Sequence, residues 1–295
     1  MILAPEALSW ERDGADWPNR SMSRFREVAG RRWHLQRGGP AGTAKRILLL
    51  HGVAAATHSW RDVLPDLVAR HQVLALDLPG HGLTSRGSIY RYALPAVADD
   101  ISAVLTAETF EPDLVVGHSA GAAIALEMVR RGLVRRVPVL AFNGALRPFQ
   151  GLAGTLFPAM AKILSLNPVV APFFARTASD LGTVRQLLGG TGSRLDARGV
   201  ELYALLLSHP AHVRAALDLM SRWDLAPLAE ALPHLDVPIT LVTALDDRAV
   251  PPAEAHRVAA LAPDATVVEV PGHGHLMHEE DPPRAIALIE AALGA

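Results

Sequence analysis

Short apolar runs alternate along this chain with longer segments that have helical periodicity. Three runs rich in Leu and Val are typical of strands buried in a parallel sheet: residues 46–50, 73–76 and 114–116. A turn containing Gly or Pro follows each run, and the helical pattern then resumes over residues 60–70, 94–106 and 120–131. This alternation predicts parallel strands connected by helices.

The same alternation returns near the end of the chain. Further strands are predicted at 137–142, 239–244 and 265–270, and a helix that begins with proline at 283–293. Upstream, 23–28 and 32–36 are typical of a hairpin that turns at Ala29 and Gly30. The whole pattern predicts an α/β fold, with a mostly parallel sheet that has helices on both faces.

The alternation stops between residues 145 and 225. This stretch has helical patterns at 201–207 and 212–220 and no convincing strand, which indicates a helical insertion or cap. We therefore expect a sheet-containing core at 1–144, a cap at 145–225 and the rest of the core at 226–295. The most apolar part, 151–175, contains Lys162, Asn167 and three prolines, so we interpret it as a cap over an apolar pocket and not as a membrane span.

Composition excludes several classes of function. The 28 Lys and Arg against 30 Asp and Glu give a net charge of −2, which argues against a nucleic-acid-binding protein. The chain has no cysteine, so disulfides, thiolate nucleophiles, iron–sulfur clusters and cysteine zinc sites are excluded. The N-terminus lacks the basic start and long apolar stretch of a signal peptide, and we expect a cytoplasmic protein.

The strongest chemical motif is Gly-His-Ser-Ala-Gly at residues 117–121, between a predicted strand and a predicted helix. A nucleophilic serine at such a position lies in a sharp, strained turn, and the flanking glycines leave room for that turn. The helix that follows directs free N–H groups and the positive end of its dipole toward the reacting oxygen. Ser119 is therefore the predicted nucleophile.

A serine hydroxyl needs a base, and that base needs a carboxylate to orient it. His275 follows the last predicted strand and is our candidate base. Asp247, four residues before Pro251, is the preferred acid, and Asp246 remains the alternative.

Two backbone N–H groups must stabilise the oxyanion that this chemistry creates. We expect one from Ala120, directly after the nucleophile, and one from Val53, in the loop that begins with His51 and Gly52.

The histidines at 273, 275 and 278 form a second pattern, His-x-His-x-x-His, that could bind a metal. The loop spacing fits a catalytic base better, and no cysteine or matching second cluster accompanies it. We expect no metal site, and the predicted chemistry requires no cofactor.

Five separately placed motifs together resemble the α/β-hydrolase superfamily: His51-Gly52, the stretch from Asp77 to Gly82, the stretch from Gly117 to Gly121, Asp247 with Val250-Pro251, and Gly274-His275. They occur in the superfamily's order and span the core from Ile47 to the end of the chain. The resemblance implies a serine hydrolase. One departure is the run Val53-Ala-Ala-Ala56, where the family pattern has a polar or glycine-containing turn.

A narrower resemblance rests on four segments, which are residues 16–20, 32–36, 57–62 and 118–122. They look like BchO-type proteins, the magnesium-chelatase accessory hydrolases of bacteriochlorophyll biosynthesis. This resemblance implies a phototrophic bacterium, a tetrapyrrole such as a porphyrin as ligand, and subunits of magnesium chelatase as partners.

Candidate substrate-binding residues are His118, inside the serine motif, and Arg147. Between 145 and 175 the cationic residues are Arg147 and Lys162, and no acidic residue occurs. An apolar wall with a few cations suits a large flat ligand that bears carboxylates. Cations that simply point to solvent are the alternative.

We therefore predict a capped serine hydrolase that cleaves an ester or similar acyl bond of a hydrophobic substrate. The alternatives are an accessory protein that binds a tetrapyrrole without catalysis, and a general esterase or C–C bond hydrolase unrelated to pigment.

Overall fold

A single eight-stranded sheet organises the fold. The computed structural model describes residues 6–42, 44–148, 167, 169–178 and 180–294. The strands are β1 Ser23–Val28, β2 Arg31–Gly38, β3 Arg46–Leu50, β4 Gln72–Leu76, β5 Leu114–His118, β6 Val139–Phe142, β7 Ile239–Ala244 and β8 Ala265–Val270. Their order across the sheet is β1-β2-β4-β3-β5-β6-β7-β8. Strand β2 is antiparallel to β1 and β4, and the other pairs are parallel. The predicted α/β fold with a mostly parallel sheet and an N-terminal hairpin is confirmed.

Helices connect the strands and cover the sheet. In the described part of the chain they are α1 Trp10–Asp13, α2 Leu64–Val68, α3 Leu94–Ala107, α4 Ala120–Arg130, α5 Val170–Thr177, α6 Leu181–Gly190, α7 Ala197–Leu207, α8 Pro210–Ser221, α9 Ala226–Ala231, α10 Ala253–Ala259, α11 Met277–Glu280 and α12 Pro282–Leu293. Short 3₁₀ turns lie at Arg20–Met22, Thr57–Trp60, Ile89–Tyr92 and Leu232–His234.

Strand β3 shows how an unbroken apolar run serves two cores. Leu48 and Leu50 belong to the cluster that includes residues of α3 and α4, whereas Ile47 and Leu49 belong to the cluster on the other face, with α2 and α12. Side chains alternate between the faces of a strand, so a strand buried on both faces is apolar throughout. Each such buried side chain contributes about 1.5–3 kcal/mol to folding.

One predicted helix is shorter than expected. Residues 60–70 form the end of a 3₁₀ turn and the short helix α2, which begins at Leu64. Pro65 lies in the first turn of α2. Proline has no N–H and its ring would clash with the carbonyl group four residues earlier, so a continuous helix from Trp60 cannot pass through it.

The region between β6 and β7 is helical where the structure describes it. We call α5 to α8, residues 170–221, the insertion helices. The helical patterns at 201–207 and 212–220 lie in α7 and α8, as predicted, and no strand occurs among the described residues of this region. The boundaries 145 and 225 stay a prediction, and most of the apolar stretch 151–175 lies outside the described residues. In the part of the chain that is described, no helix has the length and apolarity needed to cross a membrane.

Candidate active site

Ser119 occupies the turn between β5 and α4. Its backbone has φ 51° and ψ −114°, a strained conformation for a residue with a side chain. The glycines around it are needed for close approach: a Cβ on Gly121 would lie 2.2 Å from the carbonyl oxygen of Leu50, and one on Gly117 would lie 2.4 Å from the amide nitrogen of Ala122. Ser119 directly follows β5 and therefore lies at the carboxyl end of the sheet, where it is partly exposed.

His275 and Asp247 come together at this end of the sheet from two separate loops. His275 Nδ1 lies 2.8 Å from Asp247 Oδ2, and both residues are buried. A carboxylate can only accept, so Nδ1 carries the hydrogen, and in the neutral ring Nε2 then has the lone pair. The alternative acid, Asp246, is exposed, and its carboxylate makes no hydrogen bond to any described residue.

Four donors surround the Asp247 carboxylate. Oδ2 accepts from His275 and from Asn143 Nδ2 at 2.6 Å, and Oδ1 accepts from the amides of Ala249 at 2.7 Å and Val250 at 2.9 Å. The orientation of this carboxylate is therefore fixed on both sides. Asn143 was not predicted as a site residue, although it directly follows β6 and the carboxyl ends of parallel strands meet at one edge of a sheet.

The two predicted oxyanion donors follow strands β5 and β3 along the chain. Ala120 begins α4, and Val53 lies in the loop after β3. Within the described residues no acceptor takes the N–H of either, so both remain available to a ligand. Ala54, in the run at residues 53–56 that departs from the family pattern, has φ 61°, a left-handed conformation.

Several buried histidines surround the site. His118 is nearly inaccessible, its Nε2 donates to the carbonyl group of His275 at 2.9 Å, and its ring packs against that of His278 at 4.5 Å. Burial holds the pKa of His118 well below its usual range and lowers the pKa of His278 to about 3. Both rings are therefore neutral at pH 7, and the role of His118 in substrate binding stays a prediction.

A buried polar network joins the segment after His275 to the insertion helices. Glu279 Oε1 accepts from the Tyr203 hydroxyl at 2.8 Å, and Oε2 lies 3.4 Å from Arg61 Nη1. Burial raises the pKa of Glu279 to about 8, although Tyr203 and Arg61 oppose that rise. The carbonyl group of Thr191 accepts from the amide of His275 at 3.3 Å, which adds a second link.

Three residues singled out in the sequence remain, which are Arg147, Lys162 and His273. Arg147 Nη1 lies 3.6 Å from Glu254 Oε2, so its guanidinium already has a carboxylate neighbour, and its role in ligand binding stays a prediction. Lys162 lies outside the described residues. No group of three or more metal-ligating side chains occurs in the part of the chain that is described. The Nδ1 of His273 donates a hydrogen bond to the carbonyl group of Pro271.

Comparison with known proteins agrees with this architecture. The family model of the α/β hydrolase fold matches residues 45–282. The magnesium-chelatase 30 kDa subunit of Rhodobacter capsulatus is 40% identical over 265 residues, which cover 90% of this chain and 92% of that protein.

Solved structures show the same fold. An α/β hydrolase fold protein from Burkholderia ambifaria aligns with a TM-score of 0.75 at 20% identity, over 91% of this chain and 97% of that one. A thermophilic esterase from Thermogutta terrifontis aligns with a TM-score of 0.71 at 21% identity, over 92% and 97%. At this identity the likeness extends to the fold alone. With the family model and the relative from Rhodobacter capsulatus, it follows that the chain belongs to the α/β-hydrolase superfamily and, within it, to the family of the magnesium-chelatase 30 kDa subunit.

Proposed function

We propose that this protein is a serine hydrolase that cleaves an ester or similar acyl bond of a hydrophobic substrate. The observation that carries the proposal is the buried hydrogen bond between His275 Nδ1 and Asp247 Oδ2, at the same end of the sheet as the strained Ser119. A carboxylate that orients a histidine near an exposed serine turn is the arrangement that activates a hydroxyl group.

In this proposal Ser119 Oγ attacks the carbonyl carbon and its proton passes to His275 Nε2. Asp247 stabilises the imidazolium that forms, and the amides of Val53 and Ala120 donate to the oxyanion. His275 then protonates the leaving alcohol, which breaks the acyl bond and leaves an acyl group on Ser119. Water, deprotonated by His275, releases that acyl group as a carboxylic acid, and the serine is regenerated.

The proposed substrate class is a tetrapyrrole that carries an ester, in bacteriochlorophyll biosynthesis, with subunits of magnesium chelatase as partners. Support comes from the 40% identity to the magnesium-chelatase 30 kDa subunit. The same relationship favours a second candidate, an accessory protein that binds the tetrapyrrole without catalysis.

A fluorophosphonate probe separates the two candidates. We expect it to label the wild-type protein at Ser119 and to leave Ser119→Ala unlabelled, with peptide mapping to identify the site. Asp246→Asn is the matched control, because this exposed side chain lies next to the catalytic acid and should keep its labelling. A folded wild-type protein that is not labelled would refute the hydrolase and favour the binding protein, which a porphyrin absorbance titration would then detect.

A panel of esters tests the substrate. Hydrolysis of porphyrin methyl esters at a higher kcat/KM than p-nitrophenyl esters would support the tetrapyrrole. Turnover of p-nitrophenyl esters alone would instead indicate a general esterase unrelated to pigment.

A further inference from the structure

His212 reaches from helix α8 to two loops of the core. It is 1% exposed, its Nδ1 lies 3.1 Å from the amide nitrogen of Gly82, and its Nε2 lies 3.1 Å from the carbonyl oxygen of Ala54. A backbone amide can only donate and a carbonyl can only accept, so Nδ1 is the acceptor and Nε2 carries the hydrogen. Burial lowers the pKa of His212 to about 4, which keeps the ring neutral and preserves this arrangement at pH 7.

The carbonyl that His212 holds belongs to the turn that carries Val53. The amide of Ala55 donates to the carbonyl of Gly52 at 3.3 Å, so residues 52–55 form a tight turn with Val53 and Ala54 at its centre. Ala54 adopts φ 61°, which is strained for a residue other than glycine. A strained residue keeps such a conformation only when its surroundings fix it. The direction of the Val53 N–H therefore depends on the groups that hold this turn.

Two neutral histidines donate hydrogen bonds to carbonyl groups of this turn. His51 Nδ1 donates to the carbonyl of Gly52 at 2.7 Å, and His51 Nε2 accepts from the amide of Leu78 at 2.8 Å. His212 likewise donates to one carbonyl, that of Ala54, and accepts from one amide, that of Gly82, with the roles of Nδ1 and Nε2 exchanged. His51 directly follows β3 and is part of the core, whereas His212 arrives on one of the insertion helices.

We propose that His212 is a positioning residue that orients the Val53 N–H toward the oxyanion, so that the oxyanion hole is complete only when α8 is seated on the core. This proposal rests on the proposed function. It makes the insertion helices part of the catalytic apparatus, in addition to any part they have in enclosing the substrate.

Two substitutions separate the hydrogen bonds of His212. The amide nitrogen of glutamine can take the place of Nε2, so His212→Gln preserves a donor to Ala54. The amide oxygen of asparagine can take the place of Nδ1, so His212→Asn preserves only the acceptor for Gly82. Asp218→Asn is the matched control, because Asp218 lies on the same helix and pairs with Arg86 of the core without contacting the turn.

The assay is steady-state hydrolysis of p-nitrophenyl butyrate, with thermal unfolding as a check on folding. We expect His212→Asn to lower kcat by roughly 10- to 100-fold with little change in KM, because a misplaced oxyanion donor affects the transition state. His212→Gln should recover most of kcat, and Asp218→Asn should keep it. Affinity for a trifluoromethyl ketone, whose adduct with serine carries an oxyanion, should fall with kcat in His212→Asn. A purely structural role would not produce that parallel loss.

Three results would overturn the proposal: unchanged kcat and ketone affinity in His212→Asn, an equal loss in Asp218→Asn, or no recovery in His212→Gln while it remains folded. Failure of the proposed function gives a different result, in which the wild-type protein neither hydrolyses esters nor is labelled by the fluorophosphonate. In that case amide NMR still tests the contact. Changes in the chemical shifts of the Val53 and Ala54 amides in His212→Asn, absent in Asp218→Asn, would support the proposal that His212 positions this turn. Unchanged chemical shifts in His212→Asn would overturn the proposal.

Discussion

Replacing Asp247 with asparagine gives the sharpest test of the site, because the structure determines what the new amide can do. If its oxygen faces the amides of Ala249 and Val250, its NH₂ group faces His275 and Asn143. His275 must then present Nδ1 as an acceptor, which moves its hydrogen to Nε2 and removes the base. If the amide is flipped, its NH₂ group meets two backbone N–H groups, and neither pair can form a hydrogen bond.

The flipped orientation leaves two backbone N–H groups without an acceptor, so we expect the first orientation, which disables the histidine, and a large loss of rate. The wrong tautomer of such a histidine costs about 10⁴ in kcat in a serine protease, equal to ~5.5 kcal/mol at the transition state. We therefore expect Asp247→Asn to lower kcat for p-nitrophenyl butyrate by roughly 10³- to 10⁴-fold. Asp246→Asn, one residue away and exposed, should stay within about twofold of the wild type.

Single-turnover measurements of acylation make the comparison direct, because they isolate the step in which Ser119 loses its proton. A folded Asp247→Asn variant that keeps a tenth or more of the wild-type rate would refute the argument. So would an equal loss in both variants, which would mean that charge near the loop, and not the orientation of the histidine, controls the rate.

Three further changes test other parts of the structure. Asn143→Ala removes one charge-assisted hydrogen bond to Asp247, which is worth about 1.5–3 kcal/mol. Steady-state kcat should therefore fall roughly 10- to 100-fold, and an unchanged kcat would show that this contact is dispensable. Glu279 has its pKa raised from 4.5 to about 8 by burial, so its contribution to the free energy of unfolding is present at low pH and is lost as pH rises from 4.5 to 8. Urea unfolding at pH 6 and pH 9 should show that loss in the wild type and a smaller one in Glu279→Gln; equal losses would contradict the pKa. Gly121→Ala places a Cβ 2.2 Å from the carbonyl oxygen of Leu50. This clash should destabilise the protein by about 1–3 kcal/mol, measured by thermal unfolding. An unchanged Tm would contradict this packing.

The strands could be predicted closely because each is a short apolar run bounded by turn residues. The predicted ranges at 239–244 and 265–270 coincide with β7 and β8. Helix α2 was overestimated because periodicity does not register the break that Pro65 imposes. Pairing order across the sheet could not be derived from periodicity either, since it depends on long-range contacts.

The residues of the candidate site also differ in how well the sequence predicts them. Ser119, His275 and Asp247 follow strands, and local motifs mark each of them. His212 and Tyr203 lie on the insertion helices, where their spacing is indistinguishable from that of any amphipathic helix. Their contacts with core loops arise only when the insertion folds back over the sheet, and no local pattern encodes that event.

The neutral histidines packed around the site carry a consequence for acid conditions. Burial lowers the pKa of each member of this group: His58, His81, His118, His212 and His278. In the unfolded chain the same groups take up protons near pH 6.5, so the stability they contribute is complete above that pH and is lost as pH falls. Each contributes up to ~1.4 kcal/mol per pH unit to that loss. Unfolding below pH 6 is therefore accompanied by the uptake of several protons at once, and the acidic limb of a pH–activity profile will be steeper than the uptake of a single proton can produce.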